Sequence, residues 1–331
     1  MAAVLHILTD GHVAPVLAPE EEFARDIREG LTRTHKRIPS KYFYDERGSR
    51  LFQQIMALDE YYLTRCEYEI LKTHAADISA AIGSAPFNLM ELGAGDGYKT
   101  DLLIRALQKD KRTFRYVPVD ISESALRELT EKLEREYPRL EVQGIVADYF
   151  HALRWHAEQG AWRNVVLFLG SSIGNMNQTE TRLFLKALRA RLKPNDLALI
   201  GFDLKKDPAI LLPAYSDSKG ITAQFNLNVL RRINRELEAD FDLNQFFHYE
   251  TWAPVRGAME SYLLSRRAQT VTIGALGIQV AFEPYEAIHT EYSFKYTPGE
   301  IRHYAAEAGF AAAHEYFDTR HYFEDSLWRA I

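Results

Sequence analysis

Residues 87–100 constrain this chain more than any other stretch. Asn88-Leu89-Met90-Glu91-Leu92 is an apolar run with an acid near its end, and Gly93-Ala94-Gly95-Asp96-Gly97 follows it directly. Glycines adopt backbone angles that other residues avoid, and without a Cβ they let another molecule approach the main chain closely. The following stretch, Tyr98 to Gln108, reads as a helix whose N-terminus faces that molecule. The sequence therefore predicts a strand, a tight turn and a helix, with a cofactor seated at the end of the strand.

Spacing narrows the cofactor. A dinucleotide fingerprint needs Gly-x-Gly-x-x-Gly, whereas the glycines here stand at 93, 95 and 97, after Glu91. The tighter form resembles the first motif of class I S-adenosylmethionine-dependent methyltransferases. Two more acids fit the same frame. Asp120 ends the strand-like Phe114-Arg115-Tyr116-Val117-Pro118-Val119, and Asp148 ends Val142 to Ala147. An acid after a second strand can accept ribose hydroxyls, and one after a third can face an adenine amine.

Composition excludes several classes. A net charge of −6 argues against a nucleic-acid groove, and pairs such as Arg231-Arg232 and Arg266-Arg267 read as solvated faces. Cys66 is the single cysteine, so no intrachain disulfide forms, and no Cys/His spacing suits a metal. Met1 to Ala18 lacks the basic start and continuous apolar run of a signal peptide. No stretch approaches the roughly 20 apolar residues that span a bilayer. The expectation is a cytoplasmic monomer that uses S-adenosyl-L-methionine and a small-molecule substrate, without nucleic acid, membrane or metal.

From Asn88 to Asp203 strands and helices alternate as in a parallel sheet flanked by helices. Strands are expected at 87–92, 114–120, 141–147, 164–169 and 197–203, and helices near 99–109, 122–136 and 178–192. Right-handed crossovers then bring the loops at Gly93, Asp120, Asp148 and Gly170 to one edge. Helices are also expected at 20–31, 49–58, 220–239 and 298–308, with short strands from Phe246 to Phe282, another at 290–296, and two at the C-terminus. The fold class is α/β: a Rossmann-like doubly wound sheet with a second α+β domain. Residues 66–205 and 294–331 are expected to form the core, and 1–65 with 206–293 the accessory substrate-binding domain.

Phe168-Leu169-Gly170-Ser171-Ser172-Ile173-Gly174-Asn175 follows the fourth strand and offers backbone and amide donors suited to a carboxylate. Asn175 equally fits a cap on the helix from Thr179 or the closure of a turn. Tyr42, Tyr44, Tyr61, Tyr62 and Tyr215 fall at loops or element boundaries in a chain with 18 tyrosines. A tyrosine offers a ring to a cation and a hydroxyl to a carboxylate or amine. Beside Asp45 and Thr64-Arg65 they suggest a pocket wall.

Pro39 to Asp45, Gly48-Ser49-x-Leu51-Phe52, Glu60-Tyr61-Tyr62-x-Thr64-Arg65, Phe168 to Asn175, Asp203-Leu204-x-Lys206-Asp207, Tyr215 and Phe225 to Leu237 occur in order. Together this set resembles the histidine Nα-methyltransferases of ergothioneine biosynthesis, over most of the chain from about residue 20. The resemblance implies trimethylation of the L-histidine α-amine to hercynine by three molecules of S-adenosylmethionine. It implies that Tyr44, Tyr61, Gly170, Asn175 and Tyr215 surround the substrate amine and carboxylate, and that Glu291 and Ser293 hold the imidazole. Tyr44 and Tyr61 are the candidates for orienting the reacting nitrogen. On the cofactor side it implies Gly93, Ala94, Gly95, Lys99, Asp120, Asp148 and Tyr149.

One departure stands out. Counting back from Thr290-Glu291, the family's Ile-Glu-Met motif falls on Met259-Glu260-Ser261, so Ser261 replaces a methionine that lines the imidazole pocket; a two-residue slip would restore Met259. Losing a flexible thioether enlarges or polarises the pocket, which opens the alternative of an aromatic or indole-bearing substrate. Glu291 weighs toward histidine, because a buried carboxylate needs a partner and an imidazole N–H supplies one. A cofactor-binding protein without turnover and an NAD-dependent oxidoreductase are the other readings, the second disfavoured by the glycine spacing.

Overall fold

The computed structural model describes residues 4–8, 19–157 and 162–331. Most of the stretch expected to lack a targeting signal, residues 1–3 and 9–18, lies outside them. The chain opens with β1 (Val4–Ile7), α1 (Pro19–Leu31), β2 (Lys36–Arg37), α2 (Glu46–Met56) and α3 (Tyr62–Ile82). An alternating run follows: β3 (Phe87–Leu92), α4 (Thr100–Lys109), β4 (Phe114–Asp120), α5 (Glu123–Glu136), β5 (Glu141–Val146), α6 (Tyr149–Ala157), β6 (Arg163–Phe168), α7 (Gln178–Ala190) and β7 (Leu197–Asp203). Next come α8 (Pro208–Tyr215), α9 (Ile221–Glu236), β8 (Phe246–Ala253), β9 (Ala258–Ser265), β10 (Gln269–Ile273), β11 (Ile278–Phe282) and β12 (Ala287–Phe294). The chain closes with α10 (Pro298–Ala308), β13 (Phe310–Phe317) and β14 (Phe323–Ala330).

Two compact units result. One takes β1 together with Leu63–Lys205 and Lys295–Ile331; the other takes residues 19–62 and Lys206–Phe294. The accessory part was expected to include residues 1–65, but Val4–Ile7 pair in parallel with Gln143–Val146 of β5 and so join the sheet of the first unit. A short apolar segment separated from its partner strand by more than a hundred residues carries no local mark of where it pairs.

The first unit is built on an eight-stranded sheet in the order β1-β5-β4-β3-β6-β7-β14-β13. The strands from β1 to β7 run parallel, and β14 and β13 close the edge in antiparallel fashion. All six residues of β3 are buried, as expected for a parallel strand covered on both faces and written as one apolar run. From β3 the chain moves outward to β4 and β5, then returns to place β6 on the other side of β3. That reversal is the topological switch point at which open α/β sheets bind ligands, beyond the carboxyl ends of the strands. The turns after β3 and β6 both lie there.

Helix α3 was not anticipated. Leu63, Cys66, Ile70, Leu71, Ile78 and Ile82 are buried at helical spacing, yet Tyr61 to Arg65 reads as a loop wall when weighed for its aromatic and polar groups. The short α6 and α8 were missed for want of length; each begins right after an aspartate that accepts hydrogen bonds from its first turn.

The second unit carries a four-stranded sheet in the order β2-β12-β9-β8 and a separate ribbon of β10 and β11. β8, β9 and β12 are antiparallel neighbours. The register of β12 on β9 shifts between His289 and Glu291. This bulge leaves Thr290 as the extra residue and places Glu291, instead of Thr290, directly opposite Ser261. The Thr290 hydroxyl lies 2.8 Å from Asn226 Oδ1 of α9 and 3.0 Å from the Ser261 carbonyl.

Candidate active site

In the first unit the turn after β3 has the geometry its glycines suggested. Gly93, Gly95 and Gly97 have φ values of +76°, +52° and +65°, in the left-handed region that favours glycine. A Cβ on Gly93 would lie 3.0 Å from the Tyr149 hydroxyl, and one on Gly97 2.6 Å from Leu129 Cδ1. A Cβ on Gly95 would meet nothing within 4 Å, so open space lies over that residue. Asp120 stands beside it: Oδ2 accepts from the Gly95 N–H at 3.1 Å and Oδ1 from Ser122 N–H at 2.9 Å. Burial raises the Asp120 carboxyl above its ordinary pKa, against the pull of the Ser122 and Gly95 N–H groups. An open backbone cradle next to a carboxylate with spare lone pairs fits the ribose and sulfonium-bearing end of S-adenosylmethionine.

Tyr149 packs edge-on against Phe168 and Phe184 at centroid distances of 5.3 and 6.3 Å, which sets its hydroxyl over Gly93. Burial, and then the Asp120 carboxylate, hold its pKa well above the ordinary phenol value. Asp148 is arranged otherwise. Its Oδ1 accepts from the N–H groups of Phe150 and His151 at 2.8 and 3.0 Å, capping α6, and Oδ2 meets the His151 ring. Its side chain is 49% exposed.

Beneath the turn lies a polar network that the sequence only hinted at. Glu91 accepts from Thr100 Oγ1 at 2.6 Å and from the Tyr116 hydroxyl. Burial pushes its carboxyl up to about 7, although both hydroxyls pull it down. Lys99 pairs with Glu67 of α3, whose side chain is fully buried. Burial works against the Lys99 charge, but the Glu67 carboxylate outweighs it and the lysine pKa is raised. The other oxygen, Glu67 Oε1, accepts from Gly170 N–H at 2.7 Å. One carboxylate thus holds both a proposed cofactor lysine and the start of the loop after β6. A Cβ at position 201 would stand 2.3 Å from that same oxygen, so a larger residue there would displace the carboxylate. Nothing local to Glu67 marks it for this role; only the unrecognised helix would have drawn attention to it.

Gly170 and Ser171 both take positive φ, +76° and +56°. Ser171 Oγ accepts from Asp203 N–H at 3.0 Å, tying the loop to the end of β7. The cap of α7 is Asn177, which accepts from Thr179 N–H and Glu180 N–H at 3.0 Å each while Glu180 returns a bond to the Asn177 N–H. Asn175 therefore does not serve as the helix cap. It ends the short 3₁₀ turn Ser172–Asn175 and is partly exposed.

In the second unit the aromatic residues form one wall. Tyr44 meets Phe52 and Phe225 edge-on at 5.5 and 5.6 Å, Phe52 meets Tyr61 at 6.2 Å, and Tyr61 meets Tyr215 at 6.4 Å. The Tyr215 hydroxyl is 2.7 Å from Ser293 Oγ. Asp45 sets the position of Tyr44: it accepts from Gly48 N–H at 2.8 Å to cap α2, from Asn228 Nδ2 at 2.7 Å and from Arg235 at 2.8 Å. Burial opposes its charge, but these donors together lower its pKa.

Ser261, Glu291 and Ser293 share one sheet face. Ser261 lies directly across from Glu291, and Ser293 is two residues further along β12. The same row continues to Glu250 of β8, opposite Ser261 on its other side. Ser261 Oγ donates to Glu250 Oε2 at 2.6 Å. Glu250 was not singled out by sequence, because no local spacing links it to a residue eleven positions on.

Residues 23–330 match the family described as histidine-specific, SAM-dependent methyltransferases. The histidine N-alpha-methyltransferase of Mycolicibacterium smegmatis is 41% identical over 298 residues, 90% of this chain and 92% of that protein. That of Mycobacterium tuberculosis is 41% identical over 285 residues, 86% of this chain and 88% of its own. Ergothioneine biosynthesis protein 1 of Neurospora crassa is 31% identical over 289 residues, covering 85% of this chain but 32% of the longer fungal protein. The chain belongs to the histidine-specific family of S-adenosylmethionine-dependent methyltransferases.

Proposed function

We propose that this enzyme transfers methyl groups to the α-amine of L-histidine, three in succession, and so makes the trimethylated betaine hercynine. The observation that carries the choice of substrate is the row formed by Ser293, Glu291 and Ser261, in which the bulge of β12 turns a carboxylate toward the same face as the two serines. An imidazole N–H donates to that carboxylate, whereas a wholly apolar ring would displace water from it and return no hydrogen bond, at a cost of about 1–3 kcal/mol.

Roles follow from the chemistry each group offers. Gly93, Ala94, Gly95, Lys99, Asp120, Asp148 and Tyr149 hold the cofactor. Asn175 gives donors to the amino-acid carboxylate, as does Tyr215, whose hydroxyl is braced by Ser293, while Gly170, whose N–H is held by Glu67, offers its backbone as lining. Tyr44 and Tyr61 orient the amine, and their rings face the cationic product. S-adenosylmethionine, when bound, supplies the methyl group as an electrophile on a positively charged sulfur. The amine must present a neutral lone pair to it, and a neighbouring positive charge disfavours the ammonium form. Placement then supplies most of the acceleration, up to about 7–11 kcal/mol for well-aligned groups.

Mass spectrometry after incubation with S-adenosylmethionine and an equimolar mixture of the twenty amino acids tests this reading. Trimethylated histidine is the expected product. Methylation of another amino acid, or of none, would overturn the proposal.

A further inference from the structure

Ser261 does not act alone. Its hydroxyl proton is committed to Glu250, 2.6 Å away, in a setting where Ser261 is 2% and Glu250 8% exposed. His248, two residues before Glu250 on the same face of β8, brings its Nε2 to 3.4 Å from the same carboxylate oxygen. A hydroxyl has one proton to give and two lone pairs to accept with. Once Glu250 takes the proton, Ser261 Oγ offers other groups only an acceptor.

Adjacent strands stand ~4.8 Å apart, so Glu250 and Glu291, with β9 between them, are separated by two such spacings. A ring seated against Glu291 has Ser261, on the intervening strand, as its nearer neighbour and Glu250 beyond it. We infer that Glu250 is a specificity-determining positioning residue that acts through Ser261. By fixing that hydroxyl as an acceptor, it makes the wall beside Glu291 demand N–H donors from the substrate ring. This rests on the reading of Glu291 and Ser293 as the ring end of the site. It reverses the meaning of the missing methionine: in place of an enlarged pocket open to apolar rings, Ser261 with Glu250 forms a polar wall. An imidazolium ring, which carries an N–H at both nitrogens, suits a wall of two acceptors. Phenyl offers no donor at all.

The test compares kcat/KM for L-histidine and L-phenylalanine in the wild type, Glu250→Leu, Ser261→Ala and the double variant, with S-adenosylhomocysteine affinity as the check on folding. Glu250→Leu should lower the histidine-to-phenylalanine ratio by about tenfold or more, the loss falling on the KM for histidine. Ser261→Ala should give a similar loss, and the double variant no further loss, because both remove one linked interaction. Glu250→Gln, which keeps an oxygen to receive the serine proton, should restore most of the ratio. An unchanged ratio, or an equal loss for both substrates with additive single effects, would overturn the inference while histidine methylation by the wild type stands. A wild type that leaves histidine unmethylated would overturn the functional reading, and this inference with it.

Discussion

Glu67→Gln isolates what the buried carboxylate of α3 does. The amide keeps the shape and can still accept from Gly170 N–H, but it cannot balance Lys99. Glu67 is fully buried and Lys99 is one-fifth exposed. Removing one partner of a buried pair costs about 3–5 kcal/mol when the remaining charge has no compensation. Compensation exists here in part, since the carboxyls of Glu91 and Asp325 both act on Lys99, and its partial exposure admits water. Burial, and then Glu67, hold the Asp325 carboxyl well above its ordinary range, so removing the Glu67 charge lets Asp325 ionise more readily. These effects reduce the expected loss to about 2 kcal/mol. For a unit of this size that is a fall in melting temperature of roughly 4–8 °C. Urea unfolding at fixed pH gives the free energy directly, and calorimetric titration gives the affinity for S-adenosylhomocysteine, which should weaken about tenfold if Lys99 is displaced from its proposed cofactor role. The exposed pair Arg127–Glu123, with side chains 57% and 47% accessible, is the control, worth at most about 0.5 kcal/mol. A Glu67→Gln loss no larger than the control would refute the argument from burial.

Three further outcomes are expected. Asp120→Ala should weaken S-adenosylhomocysteine binding at least about tenfold while sparing histidine affinity, and Asn175→Ala should do the reverse; equal losses by calorimetry would show the division of roles to be wrong. Gly93→Ala places a Cβ 3.0 Å from the Tyr149 hydroxyl at a φ of +76°, and should cost about 1–3 kcal/mol of stability, with Tyr149→Phe recovering the steric part in urea unfolding. His289 is half-buried against Tyr262 and Tyr292, and the loss of solvent depresses its pKa to about 4, with Arg37 and Arg256 adding to the effect and Glu260 opposing it. The unfolded chain protonates this ring near 6.5, so between those values it binds the extra proton and the fold loses stability as pH falls through that window. His289→Phe should flatten that part of the acid-unfolding curve; an unchanged slope between pH 6.5 and 4 would contradict the assignment.

The amino-acid sequence alone determined the parts of this protein that rest on neighbours in the chain. Glycines at 93, 95 and 97 specify a turn whose backbone angles other residues resist. An apolar run before them and a helix after them specify the strand and its crossover, and Asp120 and Asp148 fall at strand ends for the same reason. Short-range periodicity and backbone sterics act within a few residues, so these features were legible without coordinates.

Tertiary structure decided what depends on partners far apart in sequence. Glu67 reaches Gly170 across 103 positions, and no local pattern records that one carboxylate ties a lysine to a loop. Val4–Ile7 found their place only by pairing with β5. The clearest case is the ring end of the proposed site: the bulge at Thr290 turns Glu291 to face Ser261, and strand pairing brings Glu250 to the other side of that serine. Because successive strand residues point to opposite faces, one extra residue decides which side chain enters a site. Register is fixed by pairing between strands, so the hydrogen bond from Ser261 to Glu250 could not be read from the sequence.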